Sequence, residues 1–165
     1  MARDDDAETL VVSVFDRLLD DDPTSNHDER KSRRKALDDL RDGLRRDLEA
    51  LLNTRPCSTT WAPVLTELNE SILNYGVDSV SSAALGADEN RERFRSAVEH
   101  TIRRFETRFL RVNVTLVDDP ERIDRTLRFR IEALVHAKPS PEPLIFDSAL
   151  DPSTQGVTVS SPRHV

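Results

Sequence analysis

The side chains that most often do chemistry are scattered along this chain at spacings that suit no common reaction. His27, His100, His136 and His164 lie far apart, and no two share the H-x-x-x-H spacing that sets a zinc ion on one helix face. They read as solvated histidines, and no metal is expected. Four dispersed glycines leave neither G-x-x-x-x-G-K nor G-x-G-x-x-G, so no nucleotide cofactor is expected. Cys57 stands in a Pro-Cys-Ser-Thr-Thr stretch near Arg55, whose charge would lower its pKa, but no histidine is close in sequence to act as a base. An unreactive loop cysteine is the expectation. A glycosidase needs two carboxylates about 5 to 9.5 Å apart, one of them raised in pKa by burial. The 31 acidic residues here stand in solvated runs and on charged helix faces, where pKa values stay ordinary. No catalytic residue is assigned.

One constellation is out of place. Glu106, Thr107 and Arg108 sit between Phe105 and Phe109, where a strongly periodic helix gives way to a strand. A cation such as Arg108 suits the negative C-terminal end of a helix, and Glu106 does not. A charge set against local preference between aromatics points to a specific partner, and Glu106 and Arg108 are assigned to protein binding.

The elements that must position this pair follow from periodicity. Leu37, Leu40, Leu44, Leu48, Leu51 and Leu52 make one helical stripe, backed by Asp38, Arg41, Asp42, Arg45 and Arg46, with Asp42 spaced to support Arg45 and Arg46; Pro56 ends it. Val64, Leu65, Leu68 and Ile72 predict a further short helix closing at Tyr75 and Gly76, with Trp61 beside it. Asp88 is the expected N-cap of the next helix, built on Phe94, Ala97, Val98, Thr101, Ile102 and Phe105. The period then switches to two: Leu110, Val112, Val114 and Leu116 form one strand, and Leu127, Phe129, Ile131, Ala133 and Val135 a second, paired as an antiparallel hairpin across Asp118-Asp119-Pro120. Pro139, Pro141 and Pro143 interrupt before a short strand over Leu144, Ile145 and Phe146, and residues 157–159 return as a last one. The expected fold class is α+β: N-terminal helices followed by a small antiparallel sheet covered on one face by helices. Arg111, Arg128 and Arg130 imply that its other face is wet or meets an acidic partner.

Ahead of this domain, Leu10, Val11, Val14, Phe15, Leu18 and Leu19 recur at helical spacing between the aspartate runs 4–6 and 20–22. Residues 20–31 are polar and read as a linker. So short a helix is marginal alone, since isolated helices need about 12 to 15 residues, and its stripe must dock. Leu10, Val14, Phe15 and Leu18 are assigned to protein binding. The expected organisation is an amphipathic helix and linker over 1–31, a domain over 32–160 and a tail over 161–165. A formal net charge of −7 disfavours nucleic acid. No apolar run approaches the roughly 20 residues of a membrane span, so no direct membrane contact is expected. The single cysteine and the absence of a secretory signal fit the cytoplasm.

Several segments together also carry a family likeness. Leu44-Arg45-Arg46-Asp47-Leu48-Glu49-Ala50-Leu51-Leu52-Asn53-Thr54-Arg55, Ser71-Ile72-Leu73-Asn74-Tyr75-Gly76, Phe105-Glu106-Thr107-Arg108-Phe109, Arg128-Phe129-Arg130-Ile131-Glu132-Ala133-Leu134 and Phe146-Asp147-Ser148 closely resemble the TssE family of type VI secretion, over about residues 10–160. That family is similar to the gene-25 wedge protein of contractile phage tails. The resemblance implies a cytoplasmic baseplate subunit, not an enzyme, with TssF, TssG and TssK as baseplate partners. It also implies that the subunit joins the wedge to the first ring of TssB and TssC sheath protein and helps to nucleate that sheath. The family's Glu-Pro-Arg motif falls on Glu106, Thr107 and Arg108, with threonine in place of a proline that would fix φ. Two other readings are a small acidic adaptor unrelated to secretion and a peptidoglycan hydrolase; an old lysozyme-related label exists within the family, and nothing in this sequence supports it.

Overall fold

A serine starts the first described helix. The Ser32 side chain accepts a hydrogen bond from the backbone N–H of Lys35 at 3.3 Å, filling one of the donors that a helix start leaves open. Helix α1, Arg33–Asn53, then buries Leu40, Leu44, Leu48, Leu51 and Leu52, the stripe expected from the leucine spacing. On its wet side Arg45 turns to Glu49 at 3.0 Å, one helical turn on, rather than back to Asp42. The computed structural model describes residues 32–78, 87–117, 126–137 and 140–161. The expected helix over 10–19, its linker, the Asp118-Asp119-Pro120 turn and Pro139 lie outside them.

The chain between the helices departs from expectation. Two short 3-10 turns, Thr66–Glu70 and Ile72–Asn74, stand where an amphipathic helix was predicted. That helix fails because its apolar stripe has no core to enter: Val64 is 82% exposed and Ile72 85%. Gly76 does take a positive φ of 116°, but not to end an α-helix. A Cβ there would lie 2.2 Å from the Thr54 carbonyl oxygen, so glycine lets the chain cross α1's end, where the Val77 N–H donates to Thr54 O at 2.9 Å.

Helix α2, Asp88–Phe105, buries Phe94, Val98, Thr101 and Ile102. Its cap is Ala87, with no side-chain hydrogen bond, so Asp88 is the first helical residue rather than the cap. Asp88 and Glu89 in the first turn and Arg103 and Arg104 in the last suit the helix dipole. Ala97, expected on the buried stripe, is exposed.

Four strands follow: β1 Phe109–Val117, β2 Leu127–Val135, β3 Glu142–Asp151 and β4 Gly156–Ser160. They form one antiparallel sheet in the order β1-β2-β3-β4. The fold is therefore mixed α+β, with both described helices before the sheet in chain order. β2 buries Leu127, Phe129, Ile131, Ala133 and Val135, as alternation required. β1 departs once. Phe109 faces Val135 and Arg111 faces Leu134, so Leu110 is an extra residue at a bulge and is 57% exposed instead of buried. β3 is longer than the expected three-residue strand, running through Pro143 and on to Asp151. The inward residues of all four strands share one apolar cluster with the buried residues of α1 and α2, where Phe94 meets Phe129 edge to face at 5.9 Å.

Candidate functional site

Where α2 ends, three backbone hydrogen bonds fix the turn into β1. The Glu106 N–H closes the helix on Ile102 O at 2.9 Å, Phe109 N–H returns to Glu106 O at 3.2 Å, and His136 N–H, just past β2, donates to Arg108 O at 3.0 Å. The turn is thus held without the proline, and Thr107 at its middle is exposed. Within it Arg108 folds back. Its Nε donates to Glu106 Oε1 at 2.7 Å and its Nη2 to Glu106 Oε2 at 2.5 Å, a two-toothed grip on one carboxylate. The same Nη2 donates to Asp47 Oδ2 on α1 at 2.7 Å, 61 residues away in sequence.

This knot is largely shielded from solvent, with Glu106 only 8% exposed. The hydrogen bonds to Glu106, ahead of those to Asp47, hold Arg108 charged well above the usual guanidinium range despite the opposing cost of burial. Glu106 is unfavourable at a helix C-terminus alone, and Arg108 supplies the compensating charge there. Tyr75 borders the cluster, its ring edge to face with Phe105 at 5.2 Å. Burial first, then the Asp47 and Glu106 carboxylates, push its phenol above the ordinary 10. Arg104 lies over the other aromatic, 5.3 Å from the centre of the Phe105 ring.

The structure therefore brings Glu106 and Arg108 together and adds Asp47, which local sequence features did not single out. Its signal is faint: Asp47 adjoins buried Leu44, Leu48 and Leu51 on α1, a place where a carboxylate needs a partner. Leu10, Val14, Phe15 and Leu18 lie outside the described residues.

Both edges of the sheet carry a second kind of site. Along β1, Glu99 Oε2 accepts from Val114 N–H at 3.3 Å, Arg95 donates to Val114 O at 3.1 Å, and Arg103 donates to Val112 O at 2.8 Å. These α2 side chains are themselves linked, Arg95 to Glu99 at 2.7 Å and Arg103 to Glu99 at 2.6 Å. Along β4, the Asn53 carboxamide accepts from Val157 N–H and donates to Val157 O, both at 2.8 Å. Side chains of the two helices thus occupy backbone positions that a neighbouring strand would take.

Cys57 is exposed, and its thiol is lowered by hydrogen bonding to Thr59 rather than by Arg55, whose guanidinium goes to Gln155 at 2.5 Å. Among the described residues no group of three or more His, Cys, Asp or Glu is placed to hold a metal ion. No helix among them is long and apolar enough to cross a membrane. The family model of the baseplate wedge protein gp25 matches residues 38–140, from the first turns of α1 past the end of β2 and across the whole Asp47, Glu106 and Arg108 knot. No curated protein and no solved structure matches the chain.

Proposed function

The chain belongs to the baseplate wedge protein gp25 family, the family of TssE, and from that membership we propose that it is the type VI secretion wedge subunit that joins the cytoplasmic baseplate to the contractile sheath and helps to nucleate it. Membership makes it a structural, baseplate wedge-like protein whose partners are other baseplate components. The finer roles are our reading.

The observation that carries this reading is the knot of Asp47, Glu106 and Arg108 within the matched span. A buried, bidentate Arg–carboxylate pair is costly to desolvate and is a poor way to gain stability, so a role in specifying a contact is the better account of it. It braces the turn, itself closed by backbone hydrogen bonds, from which β1 leaves α2, and β1 is an edge strand of the sheet. An edge strand held at a set angle is what a polymer of sheath protein, TssB and TssC, needs as its first template, because main-chain pairing supplies affinity and alternate side chains set register. TssF, TssG and TssK are the baseplate partners in this reading, with Leu10, Val14, Phe15 and Leu18 the contact to TssF or TssG. No catalysis is invoked.

Sheath assembly in cells tests the proposal. Glu106→Ala/Arg108→Ala removes both charges together and so avoids stranding one of them buried, which costs about 3 to 5 kcal/mol when a single partner is deleted. Sheaths should fail to form while the variant still accumulates. Removing residues 1–22 should instead lose TssF and TssG from a pull-down. Normal sheath length and secretion in the folded double variant would refute the sheath role.

A further inference from the structure

Between the helices, the chain closes a loop on itself: the Cys57 N–H donates to Leu73 O at 2.8 Å. Inside, the loop is tied by its own polar groups. Trp61 Nε1 donates to Asn69 Oδ1 at 3.2 Å, Asn74 Nδ2 to Asn69 O at 3.2 Å, and Ser71 Oγ to Leu68 O at 2.7 Å. Apart from its two 3-10 turns the loop has no regular structure, and connections this long are uncommon in compact domains and often functional. This one spends its hydrogen bonds holding a shape whose large side chains face water. Val64, Leu65, Ile72 and Leu73 are all exposed, four of the seven large exposed hydrophobics among the described residues. Scattered single apolar residues need no explanation, but two adjacent pairs of them on one braced loop are what an interaction surface would present.

Charge selects the occupant. Residues 58–76 carry Glu67 and Glu70, both exposed, and no lysine, arginine or histidine. A second copy of this chain, at a formal net charge of −7, would meet like charge there. So would the chain's own apolar stretch over 10–19, which aspartates flank at 4–6 and 20–22. We propose that loop 57–73 is a docking surface for an apolar helix flanked by lysine or arginine on another protein, separate from the Glu106 and Arg108 knot. Apolar side chains would supply the affinity, and Glu67 and Glu70 the orientation and choice of partner. That the partner is a neighbouring wedge subunit rests on the baseplate reading; the chemistry of the surface does not.

The chain's only tryptophan, Trp61, stands in this loop and reports on it. The full-length protein is titrated with a synthetic amphipathic helix of leucine and lysine, and with its leucine and glutamate counterpart. The lysine peptide should shift Trp61 emission saturably. Ile72→Glu should weaken that binding by at least about tenfold, equivalent to 1.4 kcal/mol, with thermal unfolding unchanged because Ile72 is already exposed. Glu67→Lys/Glu70→Lys should reverse the preference between peptides. Equal binding of both peptides, or of neither, overturns the proposal. So does concentration-dependent dimerisation that Ile72→Glu abolishes, which would make a second copy the occupant, or peptide binding that appears only after residues 1–31 are removed. Sheath defects from the Glu106 and Arg108 variants leave these peptide outcomes untouched, so the two readings fail separately.

Discussion

The two edges of the sheet are closed by different chemistry. At β4 a single neutral carboxamide does it: Asn53 gives Val157 both an acceptor and a donor at 2.8 Å, and its amide nitrogen also bonds Glu49 O at 2.8 Å. The side chain is short and sits in the last turn of α1, next to buried Leu51 and Leu52, although Asn53 itself is exposed. At β1 the closure is ionic and made by long side chains, Arg95, Glu99 and Arg103, whose bonds to the strand run from 2.8 to 3.3 Å. Those residues are also paired with one another, so each would retain an ionic partner if its bond to the strand opened. Opening β1 therefore costs the backbone bonds alone, whereas opening β4 strands the groups of Val157 and Asn53 together. On the proposed function β1 is the edge at which a further strand would be added most cheaply, and it follows directly on the turn that holds Glu106 and Arg108.

The strongest way to break this comparison is at Asn53. Asn53→Ala leaves the Val157 N–H and C=O without partners, and an unsatisfied polar group costs about 1 to 3 kcal/mol. The midpoint of denaturant unfolding should fall with its slope unchanged. Asn53→Asp should be at least as damaging, since a carboxylate keeps the acceptor for Val157 N–H but sets negative charge against two carbonyl oxygens. A loss smaller than that from any β1-edge substitution would invert the ranking of the edges.

A smaller effect is expected at Glu99. Glu99→Gln preserves an acceptor for Val114 N–H while removing the charge that pairs Arg95 and Arg103. Exposed ion pairs contribute about 0.2 to 1 kcal/mol each, and these are partly shielded, with the Glu99 side chain 15% exposed. The same unfolding measurement should show a modest loss, below that of Asn53→Ala. Equal losses would mean that the ladder is as fixed as the carboxamide.

Neither closure was legible in the sequence, and the reason is separation. Asn53 and Val157 are 104 residues apart, Glu99 and Val114 15, Asp47 and Arg108 61. Periodicity reports only which face of an element is apolar, which was enough for α1, α2, the β1 and β2 pair and the return of β4. Beyond single residues, Leu110 at the bulge and exposed Ala97, it failed over two stretches for physical reasons. In β3 the inward row reads Leu144, Phe146, Ser148, Leu150, and buried Ser148 broke the apolar pattern that would have revealed the strand's length. In loop 57–73 the pattern of Val64, Leu65, Leu68 and Ile72 is helical, but that surface points outward. The oddity of Glu106 and Arg108 was visible because it is local, a carboxylate against the dipole of its own helix.

The finest test of the comparison uses salt. Raising ionic strength from 0.1 to 1 M shortens the screening length from about 10 to about 3 Å, which weakens half-exposed ion pairs and leaves neutral hydrogen bonds nearly untouched. The Val114 N–H is held by a carboxylate that two arginines position, and the Val157 N–H by a neutral amide oxygen. Hydrogen exchange at Val114 should therefore quicken with salt relative to exchange at Val157. Salt also strengthens apolar burial throughout, so only the ratio of the two rates is informative, each amide serving as the control for the other. In Glu99→Gln the Val114 rate should start faster and lose its salt dependence. If salt moves both amides alike, the edges share one mode of closure, opened only when the sheet as a whole opens, and β1 has no special readiness to accept a strand.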